Sequence, residues 1–70
     1  MKVLVVGSGG REHAIAHALA RSEHRPHLFA APGNGGIREI AKLISITADD
    51  VSGLLEFAQS KKIDLTVVGP

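Results

Sequence analysis

The chain has 70 residues, no cysteine and a formal net charge of +1, so it forms at most one small domain and has no disulfides to stabilise it. The absence of cysteine fits a reducing, cytoplasmic location. No basic run, no aromatic–basic alternation and no apolar stretch of membrane-spanning length is present, which argues against a nucleic-acid partner and a membrane partner.

The first half of the chain predicts a strand, a glycine loop, a helix and a second strand. Residues 3–6 form an apolar run without alternation, which is typical of a strand buried on both faces. Residues 7–10 form the loop, residues 11–22 a helix and residues 27–31 the second strand. A stripe of apolar side chains is expected to turn the helix toward the sheet: Ala14, Ile15, Ala18 and Leu19.

The second half predicts a turn-rich loop, a third strand, a second helix and a fourth strand. Residues 32–36 combine proline, asparagine and glycine, which favours a loop, and residues 37–41 could form a helical turn. Residues 42–46 and 65–68 read as strands, and residues 50–61 as a helix with Thr47 or Asp49 as its N-cap. Its apolar face is expected to consist of Val51, Leu54, Leu55 and Ala58.

This β-α-β-β-α-β alternation predicts an α/β fold with a Rossmann-like parallel sheet and right-handed crossovers. We expect the strand order 3-2-1-4, with both glycine-rich loops at the carboxyl edge of the sheet, where such sheets bind ligands. The last strand leads directly into Gly69 and Pro70 at that same edge. The sequence is therefore expected to be part of a longer domain.

The loop Gly7-Ser8-Gly9-Gly10 and the following Arg11 favour an anion site. A strand, a glycine loop and a helix in this order aim backbone N–H groups at a phosphate, and the helix dipole adds positive charge. A plain βα turn remains an alternative reading, although one glycine would suffice for it.

A dinucleotide-binding module is a second alternative, but two features oppose it. The third glycine position of G-x-G-x-x-G falls on Glu12, and the strand at residues 27–31 has no acidic residue for a ribose. Titration with NAD and NADP would test this alternative, and a ligand-free structural module remains the third.

The second loop and the histidines carry weaker signals. Asn34 can donate and accept hydrogen bonds, yet an ordinary turn explains its loop equally well. His13 and His17 are four residues apart on the predicted helix, but no third metal ligand has suitable spacing. His24 and His27 are expected to be solvated.

Three motifs of the chain resemble the phosphoribosylamine–glycine ligase (glycinamide ribonucleotide synthetase) family. They are K-V-L-V-V-G-S-G-G-R-E-H-A at 2–14, A-P-G-N-G-G at 31–36 and D-L-T-V-V-G-P at 64–70. The string G-G-R-E-H-A is far more specific than a lone glycine motif. In the family the third motif continues with a glutamate that this chain lacks.

The resemblance implies the start of the N-terminal, pre-ATP-grasp domain of an ATP-grasp ligase. Such enzymes join phosphoribosylamine and glycine in de novo purine synthesis, with ATP and Mg²⁺ or Mn²⁺. The ATP-grasp domains are absent from this chain, so we expect no catalytic residue and no metal ligand in it, and no activity of the segment alone. The small-molecule partners implied are phosphoribosylamine, glycine and ATP. The substrate-binding residues implied are Gly9, Gly10, Arg11, Glu12, Asn34 and Gly35.

Overall fold

The structure, a computed structural model, describes residues 1–23 and 26–68. The expectations for His24, Gly69 and Pro70 lie outside these residues. Within the described ranges, no helix is both long and apolar enough to cross a membrane. The elements in chain order are β1 (Lys2–Gly7), α1 (Gly10–Ala20), β2 (His27–Pro32), β3 (Lys42–Leu43), α2 (Val51–Ser60) and β4 (Leu65–Val68).

The four strands form one parallel sheet in the order β3-β2-β1-β4, which confirms the predicted fold class and strand order. β1 lies at the centre, between β2 and β4, and its residues 3–6 are buried. The start of β4 is fixed beside the start of β1 by two hydrogen bonds. The Lys2 N–H donates to Asp64 Oδ2 over 2.7 Å, and the Asp64 N–H donates to the Lys2 carbonyl over 2.8 Å.

The core consists of two layers, one on each face of the sheet. Val3 and Val5 pack with Ala16 of α1, whereas the alternate residue Leu4 packs near Leu54 and Phe57 of α2. Since successive side chains of a strand point to opposite faces, the two helices lie on opposite sides of β1. This confirms the prediction, made from the apolar run at residues 3–6, that β1 is buried on both faces.

The predicted inner face of α1 is only partly correct. Ala14 and Ala18 are exposed, while Glu12 and Ala16 are the buried residues of this helix. The helix is alanine-rich around most of its circumference, so apolar periodicity does not select one face. Ala16, Leu19 and Ala20 are the residues of α1 that pack against the core on the sheet, whereas Glu12 lies beside the loop.

The predicted apolar face of α2 lies on the side of β1, where its four residues line a groove with Leu4 and Val6, but it is only partly buried. Leu54 contacts the core, but Val51 and Leu55 are 73% and 58% exposed. Phe57 takes a core position instead, with its ring edge-on to that of Phe29 at a centroid distance of 5.5 Å. An aromatic pair of this kind contributes about 0.5–1.5 kcal/mol beyond its burial, which helps to hold α2 against the sheet.

The third strand is shorter than the predicted 42–46, and Pro32 explains why. β3 pairs with β2 through Lys42 and Leu43, and the Ile44 N–H still donates to the Ala30 carbonyl over 2.8 Å. The next bond of a parallel ladder would need an N–H at Pro32, which proline lacks. The chain therefore leaves the sheet after Leu43.

The N-cap of α2 is Asp50, so the predictions of Thr47 and Asp49 are wrong. The Asp50 carboxylate accepts a hydrogen bond from the Gly53 N–H over 2.9 Å. The Thr47 and Asp49 carbonyls instead accept turn bonds from the N–H groups of Asp50 and Val51.

Replacing Asp50 with alanine is expected to lower the free energy of unfolding by about 1 kcal/mol, because α2 then loses its side-chain cap. Urea unfolding followed by circular dichroism measures this change. Asp49→Ala is the matched control, since its carboxylate does not cap the helix. Equal losses in the two variants would contradict the assignment of the cap.

Candidate ligand site at the carboxyl edge of the sheet

The two glycine-rich loops lie side by side at the carboxyl ends of β1 and β2, as predicted. The Gly33 N–H donates to the Gly7 carbonyl over 3.1 Å. One residue further along each loop, Asn34 Nδ2 donates to the Ser8 carbonyl over 2.8 Å. The parallel pairing of β1 and β2 thus continues into a direct connection between the loops.

The first loop ends at a helix start that no side chain caps. Gly9 is the N-cap residue, with an extended backbone (φ −87°, ψ −177°), and its carbonyl accepts the first helical bond from the His13 N–H over 3.1 Å. The N–H groups at the start of a helix have no acceptor within the helix. Because Gly9 has no side chain, the N–H groups of Arg11 and Glu12, which an N-cap side chain would normally bond, gain no cap from it. They remain suited to an external anion, together with the positive end of the helix dipole.

Two glycines of the site border open space. A Cβ atom added to Gly10 or to Gly35 would meet no other heavy atom within 4 Å. Neither residue has the positive φ that favours glycine. The fold itself therefore does not require glycine at these two positions, and a ligand could approach the backbone closely at both.

Gly7, by contrast, is required by the fold. Its φ is +134°, and a Cβ atom there would lie 2.6 Å from Cγ of Glu12. Glu12 is 7% exposed, and its carboxylate lies beside Gly7 and Gly9. The side chain therefore packs under the loop instead of projecting from it, and a direct contact between Glu12 and a substrate stays a prediction.

Arg11 is exposed at the start of α1, next to the uncapped N–H groups. Its guanidinium is permanently charged and has several donors in a planar arrangement that suits phosphate oxygens. The helix start and the Arg11 side chain together concentrate positive charge at this end of the loop. The Arg11 side chain is therefore both chemically suited to a phosphate and accessible to one.

The Asn34 amide is bonded at both ends to the backbone. Besides the bond from its Nδ2 to Ser8, its Oδ1 accepts from the Gly36 N–H over 2.9 Å. The sequence singled out Asn34 as a residue that both donates and accepts, but gave no signal for Ser8. Every residue has a backbone carbonyl that can accept such a bond, so the residue type at position 8 could not reveal this contact.

His13 and His17 form a pair next to the second loop. Their Nε2 atoms are 2.7 Å apart, so one ring donates and the other accepts. The His13 ring also lies against Gly36, where an added Cβ would be 2.6 Å from its Cε1. In residues 1–23 and 26–68, no three or more His, Asp or Glu side chains gather where they could hold a metal ion.

The chain is similar to known proteins along its whole length. Residues 1–70 match the family model described as "Phosphoribosylglycinamide synthetase, N domain". The chain is 51% identical over 70 residues to the phosphoribosylamine–glycine ligase of Caldanaerobacter subterraneus subsp. tengcongensis. It is 50% identical over 72 residues to the enzyme of the same name from Escherichia coli K12. All of this chain is covered in both comparisons, but it spans only 17% of the length of each relative.

Proposed function

Since this chain belongs to the phosphoribosylglycinamide synthetase N-domain family, we propose that it is the substrate-binding start of an ATP-dependent phosphoribosylamine–glycine ligase. The observation that carries the proposal is the uncapped start of α1 at Gly9, beside open space at Gly10. A single phosphate fits this place, because backbone N–H groups and Arg11 are available to bind it. We assign it the 5′-phosphate of phosphoribosylamine.

The geometry favours one phosphate over the two of a dinucleotide. The Glu12 carboxylate fills the space beside Gly7, where it would repel a second phosphate, whereas the single phosphate is proposed to bind on the exposed side of the helix start, beside Gly10 and Arg11. β2 ends in Ala31 and Pro32, neither of which can accept a hydrogen bond from a ribose through its side chain. Both features support a sugar monophosphate rather than NAD or FAD.

The reaction proposed for the complete enzyme divides the work between its domains. ATP phosphorylates the glycine carboxylate, the amine of phosphoribosylamine attacks the acyl phosphate, and ADP and phosphate are released. This segment would hold the phosphoribosyl group of the attacking amine. The described residues bring together no metal-binding group, so we propose that ATP and its Mg²⁺ or Mn²⁺ bind in ATP-grasp domains outside this segment. A cytoplasmic location likewise stays a prediction.

Calorimetric titration of the full-length protein with ribose 5-phosphate tests the assignment of the loop. Ribose 5-phosphate carries the same phosphate as phosphoribosylamine without its amine, and we expect it to bind. Unphosphorylated ribose is the control, and we expect no measurable binding of it or of NAD. Binding of NAD instead of ribose 5-phosphate would contradict this proposal and would support a dinucleotide-binding module.

The 70-residue segment alone is expected to release no ADP from ATP in the presence of glycine and phosphoribosylamine. The reason is that the nucleotide and metal ligands are proposed to lie elsewhere. A coupled assay for ADP, with the full-length enzyme as positive control, measures this. ADP formation that depends on both substrates would contradict the proposed division of work.

A further inference from the structure

We propose that Asn34 is a positioning residue, which sets the direction of the Gly9 N–H by holding the Ser8 carbonyl. This inference rests on the proposed function, since it assigns a role within the same phosphate site. It differs from the role that the family resemblance implied, which was direct contact with the substrate. The second loop would then act on the ligand through the first.

The contact that carries the proposal is a bond between the two loops. Asn34 Nδ2 donates to the Ser8 carbonyl over 2.8 Å, across 26 positions of sequence. The other end of the amide is held by the Gly36 N–H, 2.9 Å from Oδ1. Because both ends are bonded, the Asn34 side chain has a fixed orientation when it meets Ser8.

Because the Ser8–Gly9 peptide is planar, the bond to the Ser8 carbonyl also fixes the direction of the Gly9 N–H. In a trans peptide the carbonyl and the N–H that follows it point in opposite directions within one plane. A Ser8 carbonyl held toward the second loop therefore turns the Gly9 N–H away from that loop. This N–H belongs to the N-cap residue of α1 and directly precedes the uncapped N–H groups of the helix start, where the phosphate is proposed to bind.

The loop needs such a restraint because glycines surround Ser8. Gly7 and Gly9 give the backbone on either side more accessible conformations than any other residue would. The bond from the Gly33 N–H fixes Gly7 but does not reach the Ser8–Gly9 peptide. The Asn34 bond supplies the missing restraint, and a loop ordered before binding binds more tightly.

The experiment compares Asn34→Ala with the native sequence in the full-length protein, using two measurements. The first is the amide signal of Gly9 in glycine-selective ¹⁵N spectra without ligand. The second is the dissociation constant of ribose 5-phosphate by calorimetry. We expect the ligand-free Gly9 signal to move and the affinity to fall by about 3- to 10-fold, as for the loss of one hydrogen bond.

Two further variants make the comparison specific. Ser60→Ala is the matched control, because Ser60 Oγ donates to the Phe57 carbonyl at the far end of α2, over 3.2 Å. It should leave both measurements unchanged. Asn34→Asp keeps an oxygen acceptor for the Gly36 N–H and loses the donor to Ser8, so it should move the Gly9 signal even if Asn34→Ala folds poorly.

The outcomes separate this inference from the proposed function. If affinity falls while the ligand-free Gly9 signal stays in place, Asn34 contacts the ligand directly and the positioning role is wrong. If the signal moves while affinity is unchanged, the peptide direction does not matter and the inference also fails. If the native protein binds no ribose 5-phosphate at all, the proposed function fails, whatever the Gly9 signal does.

Discussion

Replacing Gly10 with valine is expected to raise the KM for phosphoribosylamine by about 10- to 150-fold in the full-length protein, whose ligase activity is proposed above. The valine side chain would enter the open space above the helix start and keep the phosphate away from the backbone N–H groups. Losing a charge-assisted hydrogen bond to phosphate costs about 1.5–3 kcal/mol, which corresponds to that range. Steady-state kinetics with each substrate varied in turn measure the effect, and the KM values for ATP and glycine should hardly change.

The structure makes this substitution a clean test of ligand binding. An added Cβ at Gly10 meets nothing within 4 Å, and the residue does not have a positive φ. We therefore expect the free energy of unfolding without ligand to stay within about 0.5 kcal/mol of the native value. A rise in the KM for ATP would assign the loop to the nucleotide. If all three KM values are unchanged, the loop is only a turn.

Replacing Gly7 with alanine is expected to lower the free energy of unfolding by about 2–6 kcal/mol. At φ +134° a residue other than glycine is strained by about 1–3 kcal/mol. The new methyl group also collides with the Glu12 side chain, and overpacking of this kind typically costs a further 1–3 kcal/mol. Thermal and urea unfolding measure the loss.

Two comparisons separate strain from collision at Gly7. Gly35→Ala is the control for adding a methyl group to this site, and we expect it to change stability by less than about 0.5 kcal/mol because the space there is open. Gly7→Ala combined with Glu12→Ala should be less destabilising than the sum of the single changes, since the collision is removed. Additive losses would show that Glu12 does not lie under Gly7.

Most of the fold follows from local patterns in the sequence. Apolar runs and their spacing predicted β1, β2 and β4, and the βα alternation predicted the parallel order, because right-handed crossovers leave few arrangements. The third strand was predicted too long, since a run such as Leu43-Ile44-Ser45-Ile46 says nothing about the proline opposite it. The N-cap of α2 was misplaced because Thr47, Asp49 and Asp50 are all capable caps, and only the path of the chain selects one.

The location of the candidate site could be predicted from the sequence, but the contacts between its residues could not. Glycine spacing located the first loop, and the rule for parallel sheets brought the second loop to the same edge. The burial of Glu12 could not be predicted, because a carboxylate at a helix start is normally expected to face solvent. The bond from Asn34 to Ser8 joins positions 26 residues apart, and no local pattern encodes it.

The position of β4 beside β1 has a consequence for how the chain acquires its structure during synthesis. β1 is made first, yet the strand that completes its second edge begins only at Leu65. Closing so long a segment carries an entropic cost before any contact compensates for it, and this slows folding. While a ribosome adds the intervening residues, β1 has no partner on this side, and its unpaired N–H and C=O groups are open to other chains. Until β4 is made, this edge of β1 is therefore a place where the growing chain can pair with other chains and aggregate.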